Sequence, residues 1–124
     1  MKVLVPLLTL KENDEKFIEK LQKYDEIILL LTLDKERMKK TFGVEAEHIA
    51  EGTKFLERLK LILETKGKRV FDIVEWGNLE RNIKNIALLQ KVKKIVIKEQ
   101  KSKAFNSFIE NLKAELPDVE ILIL

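Results

Sequence analysis

The sequence predicts an α/β protein in which a five-stranded parallel sheet lies between two layers of helices, a doubly wound three-layer α/β/α sandwich. Three observations support this fold class. Five short apolar segments alternate with helical patterns in the order β-α-β-α-β-α-β-α-β. Runs such as "IILLL" and "KIVI" are nearly continuous, which is typical of strands buried on both faces. Strands that alternate with helices in this way form parallel sheets through right-handed crossovers.

The five predicted strands are short runs rich in Val, Ile and Leu. They are Val3–Leu8, Ile27–Leu33, Val70–Trp76, Val92–Ile97 and Val119–Leu124. The first run contains Pro6, which is unusual inside a sheet because proline has no N–H to donate to a neighbouring strand.

The segments between the strands carry apolar residues at helical spacing and have recognisable ends. Asn13 or Asp14 can cap the first helix, Gly67 ends the second and Asn78 can cap the third. Pro117 stops the last helix. The apolar stripes are Phe17, Ile18 and Leu21; Ile49, Leu56, Leu59 and Leu63; Leu79, Ile83, Ile86 and Ala87; and Phe105, Phe108, Ile109, Leu112 and Leu116. An insertion at Lys35–Val44 is expected to form a loop or a short helix.

Length and composition limit the possible chemistry. The 124 residues, with no linker or internal repeat, predict one domain over 1–124. The absence of cysteine excludes disulfides, thiolate metal sites and cysteine nucleophiles. The single histidine, His48, is expected at a surface or interface rather than in catalysis, and we expect no metal site. No apolar run is long enough to span a membrane, and the N-terminus lacks a signal-peptide pattern, so we expect a cytoplasmic protein.

Charge is concentrated in one part of the chain. The net charge is +3, and charged residues, mostly Lys and Glu, make up 36% of the sequence, as in many thermophile proteins. Residues 91–103 hold six lysines and one acidic residue, Glu99. The lysines are Lys91, Lys93, Lys94, Lys98, Lys101 and Lys103. A net charge of this size does not by itself indicate nucleic-acid binding.

The fold class, rather than a motif, predicts where a ligand would bind. In open parallel sheets ligands lie beyond the carboxyl ends of the strands. The loop after the first strand has no Gly-x-Gly-x-x-Gly, and the chain contains no P-loop. A phosphoacceptor domain needs clustered acidic residues at the end of the first strand and an aspartate at the end of the third. Neither is present, and Asp72 lies inside the third strand. No pair of residues indicates acid–base catalysis, so no catalytic residue is assigned.

The first strand, "KVLVPL", resembles the opening strand of the universal stress protein family, which tolerates proline at this place. The segment "RVFDIVEWGNLERNIKNIALLQKVKKIVI" resembles that family's third strand, glycine-containing turn, following helix and fourth strand. The resemblance covers nearly the whole chain in order and spacing. It implies the strand order 3-2-1-4-5 and a fold like that of the adenine nucleotide alpha hydrolases.

The chain departs from the family where its nucleotide-binding members hold ATP. Those members carry an Asp-Gly-Ser-like turn after the first strand, where this chain has Leu8, Thr9 and Leu10. They also have a Gly-x-x-Gly loop after the fourth strand, whereas this chain reads "KEQKSKAFNSF" and has no glycine after Gly77. Glycine matters there because backbone N–H groups must approach phosphates closely. We therefore expect no cofactor, with ATP or another adenine nucleotide as the alternative.

The candidate ligand-binding residues all follow predicted strands. They are Leu8, Thr9, Thr32, Gly77, Lys98, Lys101, Ser102 and Lys103. The lysines and Ser102 would contact an anion in place of the glycine loop, or they form a solvated basic surface with Ser102 capping the helix that begins near Ala104. The two threonines would bind a ligand or complete local backbone hydrogen bonds. Trp76 would stack on a base or pack beside Gly77.

The last strand predicts a partner. An exposed apolar edge strand invites pairing, and members of the resembled family often dimerise through it. We therefore expect a homodimer through Val119, Ile121 and Ile123, unless a helix or loop covers that edge.

Three functions follow from these observations. The first is a non-enzymatic, dimeric stress-response or regulatory scaffold that lacks the ATP site. The second is a sensor of a nucleotide or another anionic small molecule that uses the lysine-rich loop. Weak nucleic-acid binding is the third, and it is disfavoured because no aromatic residues are interleaved with the lysines.

Overall fold

The computed structural model describes residues 1–33 and 45–124, with side chains described from residue 49 onward in the second range. These residues form five strands and four helices. Their order is β1 (Lys2–Pro6), α1 (Glu15–Leu21), β2 (Glu26–Leu33), α2 (Glu45–Thr65), β3 (Arg69–Trp76), α3 (Leu79–Leu89), β4 (Lys94–Ile97), α4 (Lys103–Glu115) and β5 (Glu120–Ile123). The insertion predicted at Lys35–Val44 lies outside the described residues.

The five strands form one parallel sheet in the order β3-β2-β1-β4-β5. This confirms the predicted fold class and the strand order that the family resemblance implied. β2 and β3 pair along their whole length, from Glu26 opposite Arg69 to Leu33 opposite Trp76. Because every strand runs in the same direction, the carboxyl ends of the strands meet at one side of the sheet, which we call the carboxyl-end side.

Two apolar cores cover the two faces of the sheet, as a buried parallel sheet requires. Successive residues of β2 alternate between them: Ile27 and Leu29 belong to the first core, Ile28 and Leu30 to the second. The first core joins the sheet to α1 and α2, and the second joins it to α3 and α4. The continuous apolar character of "IILLL" therefore reflects burial on both sides.

Pro6 fits the central strand because of the direction in which its nitrogen points. The N–H of Leu7 donates to the Leu30 carbonyl at 2.8 Å, so the neighbouring nitrogen of Pro6 faces β4 instead. The pairing of β1 with β4 covers only Val3 and Leu4. The donor that proline lacks is thus one that the sheet does not use at this position.

Most of the helix ends are as predicted. The side chains of Asp14, Asn78 and Ser102 accept hydrogen bonds from the third residue after each, at 3.2, 3.0 and 3.0 Å. Gly67 follows α2 with φ of +81°, the left-handed conformation that closes many helices. Lys91 takes the same conformation after α3, at φ of +53°, without a glycine.

All five predicted strands had at least one end that was wrong by one or two residues, and β2 and β3 each begin one residue earlier than predicted. β1 ends at Pro6 rather than Leu8, because the backbone N–H of Leu8 turns away to a side chain. β4 begins at Lys94 rather than Val92, because the Val92 N–H closes the end of α3 by donating to the Ala87 carbonyl at 3.1 Å. β5 starts at Glu120 and ends at Ile123.

Candidate functional site

A buried glutamate closes the turn after β1, which spans residues 7–14 and is called the β1 turn below. One carboxylate oxygen of Glu12, Oε2, accepts hydrogen bonds from the backbone N–H of Leu8 at 3.1 Å and of Thr9 at 3.0 Å. The same oxygen accepts the Thr9 hydroxyl at 2.8 Å. The Thr9 hydroxyl oxygen accepts the N–H of Lys11 at 2.9 Å. Thr9 thus serves local backbone bonding, which is one of the two roles its sequence position allowed.

Glu12 is the one charged side chain among the described residues that is buried, with 0% exposure. Its second oxygen, Oε1, is also buried and accepts no hydrogen bond from a described residue. Burial of a carboxylate is costly unless hydrogen bonds compensate it, and here all of the compensation falls on one oxygen. Glu12 was not among the residues predicted from the sequence. A signal was present, since Thr9-x-x-Glu12 has the spacing of a capping box.

The chemistry of the β1 turn is unfavourable for an anion. The N–H groups of Leu8 and Thr9, which could otherwise face a phosphate, are already bonded to Glu12. A phosphate placed here would also meet a carboxylate, and the repulsion between like charges is large where water is excluded. The backbone at Leu10 is strained besides, with φ of +57° in a residue that has a side chain.

The ends of β2 and β3 are joined by an asparagine that the sequence analysis did not single out. The side-chain amide of Asn82 donates to the carbonyl of Trp76 at 3.2 Å and lies 3.5 Å from the hydroxyl oxygen of Thr32. Gly77 donates its N–H to the Leu33 carbonyl at 3.0 Å and has φ of +112°. The positive φ is the reason that this position favours glycine. Crowding is not a reason, because nothing lies within 4 Å of a Cβ added at Gly77.

Residues 98–103, which comprise the loop after β4 and the first residue of α4, are called the β4 loop below and contain the predicted lysines. Lys101 and Lys103 are exposed and Lys98 is half-buried. The hydroxyl of Ser102 is occupied, because it accepts the N–H of Phe105 at 3.0 Å and so caps α4. The N–H of Glu99 donates to the carbonyl of Leu124 at 2.8 Å, which ties the loop to the end of the chain.

The candidate residues thus lie on the same side of the sheet but form separate groups. Leu8 and Thr9 are held by Glu12, and Thr32 is linked through Asn82 to the end of β3. The lysines lie in the segment that leads into α4. Beside the β1 turn a shallow cavity of about 470 Å³ opens against α2. It is lined by Leu10, Ala50, Glu51, Lys54, Phe55 and Arg58. None of these lining residues was a candidate.

The ion pairs with displaced pKa values lie away from these groups. A hydrogen bond from Lys60, 2.9 Å away, lowers the pKa of Asp72 on β3. A hydrogen bond from Lys84 on α3 lowers the pKa of Glu115 at the end of α4. Lys94, at the start of β4, has a raised pKa because of its contacts with the Tyr24 hydroxyl and Glu120. These pairs connect helices and strands and do not form an acid–base pair at the carboxyl-end side.

The described part of the chain offers neither a metal-binding cluster nor a membrane-spanning helix. No three His, Asp or Glu side chains there lie close enough together to hold a metal ion. No helix there has the length and apolar character needed to cross a membrane. The side chain of His48 lies outside the described residues.

The three residues predicted for a dimer interface lie on or just before β5. Val119, Ile121 and Ile123 are half-buried and pack against the second core. β5 pairs with β4 through Lys94–Glu120 to Ile97–Ile123, and no described strand pairs with its other side. The alternative prediction was that a helix or loop covers this edge. The half-burial of Val119, Ile121 and Ile123 comes from their packing against the chain's own second core.

The whole chain has the fold of the universal stress proteins. The structure of hypothetical protein MJ0577 matches with a TM-score of 0.76 at 22% identity, covering 99% of this chain and 94% of that one. Universal stress protein UspA from Lactobacillus plantarum gives 0.71 at 12% identity, covering 100% and 97%. A universal stress protein from Archaeoglobus fulgidus gives 0.71 at 14% identity, covering 99% and 92%. No protein-family model and no curated protein matches the chain.

Proposed function

We propose that this chain is a non-enzymatic, universal-stress-protein-like domain that acts as a dimeric regulatory or scaffold protein in the stress response. We further propose that it lacks the family's glycine-based ATP site and works in the cytoplasm. The fold supports the family assignment, since nearly the whole chain matches universal stress protein structures. The carboxyl-end side supports the loss of ATP binding.

The observation that carries this proposal is the Glu12 carboxylate in the β1 turn. It uses the Leu8 and Thr9 N–H groups and places a negative charge at the position where a nucleotide would need donors. The β4 loop also supports the loss of ATP binding. It has no glycine, and its side chains prevent the close backbone approach that phosphate binding needs. The Ser102 hydroxyl is committed to the α4 cap.

The dimer we propose forms through β5. The outer side of this strand carries backbone groups that no described strand pairs with, and unpaired strand edges favour association. Val119, Ile121 and Ile123 would contribute the apolar contacts nearest the two-fold axis. Measurement of the solution mass of Ile121→Lys against the unchanged protein at micromolar concentration tests this interface. A solution mass that is the same in the variant and in the unchanged protein would refute it.

One observation favours a second function, a sensor of an anionic small molecule. Lys101 and Lys103 flank Ser102, the N-cap of α4, and Lys98 precedes them in the same loop. The N-terminus of a helix attracts negative charge. Here the lysine side chains, rather than backbone N–H groups, would hold the anion.

Calorimetric titration of the purified chain with Mg·ATP, ADP and pyrophosphate distinguishes the two functions. The scaffold proposal expects no binding heat with any of the three up to about 1 mM, where the binding free energy is only about 4 kcal/mol. Micromolar ATP binding would overturn it. The sensor is supported if binding occurs and the double variant Lys101→Ala/Lys103→Ala abolishes it. The matched control Lys16→Ala/Lys20→Ala, which removes two exposed lysines of α1, should leave binding unchanged.

A further inference from the structure

The edge of the sheet formed by β3 has the features of an interaction surface. β3 is eight residues long and lies at the end of the strand order, and no described strand pairs with its outer side. Phe71 and Val74 are 49% and 42% exposed, which is unusual for large apolar side chains on a strand. Long, exposed, apolar edge strands associate unless they are protected.

The backbone of β3 shows which residues can pair outward. The N–H groups of Arg69 and Gly77 donate inward, to the carbonyls of Asp25 and Leu33. Strand geometry alternates, and the pairing with β2 is unbroken, so the odd-numbered residues face β2. The N–H and C=O groups of Val70, Asp72 and Val74 therefore point away from the sheet. The Asp72 N–H contacts that residue's own carboxylate, and pairing with another strand would replace this contact.

We propose that β3 pairs antiparallel with β3 of a second copy of this chain, across a two-fold axis at Asp72. Outward-facing residues must then lie opposite outward-facing residues, as they do in this register. Val70 lies opposite the partner's Val74, and Asp72 opposite the partner's Asp72, with two N–H···O bonds exchanged at each such pair. The two sheets become one continuous sheet.

Charge complementarity selects this register. It places Arg69 opposite the partner's Glu75, twice by symmetry, on the face that also carries Phe71 opposite the partner's Ile73. Shifting the axis to residue 73 would set Phe71 against the partner's Glu75 and Asp72 against the partner's Val74. Shifting it to residue 71 would set Val70 against the partner's Asp72. Cross-strand pairs of opposite charge and of apolar residues stabilise a sheet, whereas these mismatches do not.

The one unfavourable contact in this register is already compensated within each chain. The two Asp72 carboxylates meet near the axis, but each accepts a hydrogen bond from its own Lys60 at 2.9 Å. Arg69 remains available for the partner, because its contact with Glu26 is long, at 3.8 Å, and its side chain is 78% exposed. The β3 edge lies opposite the β5 edge, so both contacts together would build an open row of chains rather than a closed dimer. Self-association through β3 is therefore measured in the Ile121→Lys background, in which the proposed β5 contact is removed.

A single introduced cysteine tests the axis directly, because the chain has no cysteine of its own. Residues directly opposite in a hydrogen-bonded pair have Cα atoms about 5.5 Å apart, which a disulfide can span. Asp72→Cys should therefore form a disulfide-linked dimer under mild oxidation. Glu75→Cys, also exposed on β3, is the matched control and should crosslink at least roughly tenfold more slowly, because its symmetry mate lies about 20 Å away. Equal crosslinking of both variants, or of neither, would overturn the proposal.

Exchanging the charges at positions 69 and 75 tests the register without introducing a disulfide. Arg69→Glu and Glu75→Arg should each weaken self-association through β3 roughly tenfold, since each sets like charges opposite one another twice. A 1:1 mixture of the two variants restores both opposite-charge pairs and should associate as tightly as Ile121→Lys alone in sedimentation velocity. Failure of the mixture to recover association would refute this register even if both single variants are weakened. Nucleotide binding is a separate measurement and the β5 contact is removed in this background, so these results do not depend on the proposed function.

Discussion

The β1 turn and the β4 loop lie on the same side of the sheet and are built in opposite ways. The β1 turn is organised from the inside, because a buried carboxylate collects two backbone N–H groups and a hydroxyl. The β4 loop has no buried charged residue; it carries exposed lysines and one serine that caps a helix. The comparison shows that one loop contributes chiefly to stability, whereas the other is free to change its surface charge.

The largest expected effect is at Glu12. Glu12→Ala leaves the half-buried N–H groups of Leu8 and Thr9 without this acceptor and leaves a cavity at a fully buried side chain, so we expect a loss of about 3 kcal/mol in the free energy of unfolding. Urea denaturation followed by circular dichroism measures it. Glu12→Gln keeps one acceptor oxygen and should lose less than half as much. If Glu12→Ala were as stable as the unchanged protein, the β1 turn would not be held by this carboxylate.

Ser102 should show an intermediate effect, because its hydroxyl makes the hydrogen bond that joins the β4 loop to the first turn of α4. Ser102→Ala removes this cap and should cost about 1 kcal/mol. Ser107→Ala, in the exposed middle of the same helix, is the matched control and should be neutral or slightly stabilising. Equal losses for the two serines would show that the cap contributes nothing.

The β4-loop lysines should matter least to folding. Lys101→Ala/Lys103→Ala is expected to change the free energy of unfolding by less than about 0.5 kcal/mol, because both side chains are exposed. The same urea titration measures it. A loss as large as that of Ser102→Ala would mean that the lysines make structural contacts, and the contrast between the two loops would then disappear.

The partly exposed ion pair between Lys60 and Asp72 can be compared with the buried carboxylate of Glu12. The pKa of Asp72 is lowered by the Lys60 hydrogen bond, so its stabilisation is present above the unfolded-state pKa and is lost as pH falls through the folded-state value. The pKa of Lys60 is raised, so its stabilisation persists at neutral pH and is lost as pH rises through its folded-state value. Asp72→Asn should therefore be slightly less stable at pH 7 and equal to the unchanged protein in acid. Thermal unfolding over a series from pH 7 down to pH 2 measures the deficit, and a deficit that does not shrink toward acid would contradict this prediction.

The parts of the fold that depend on local sequence were predictable. Asp14, Asn78 and Ser102 cap helices because each precedes an amphipathic stripe, and capping involves only the next three residues. The strands were found because β2 and β4 are buried on both faces and therefore apolar throughout. The exact ends of the strands were not predicted. The N–H groups of Leu8 and Val92 donate to Glu12 and to the Ala87 carbonyl instead of to a neighbouring strand, and an apolar run does not reveal such contacts.

The features that depend on distant contacts were not predictable in the same way. Glu12 lies in the acidic stretch "KENDE", where composition predicts solvent exposure, and only the packing of the β1 turn makes it buried. The position of β3 at an edge follows from the strand order, yet the apolar run at β5 was the one that predicted an interface. The exposure of Phe71 and Val74 depends on what packs over them, and an apolar strand sequence alone does not specify this.

The direction of β3 has a consequence for geometry at a larger scale. An antiparallel β3 pair would turn the carboxyl-end sides of two chains to opposite poles of the assembly, about as far apart as the sheet allows. Two such surfaces could not close on one small target. They would instead be suited to bridge two separate binding partners, with the gain in apparent affinity that bivalent attachment gives.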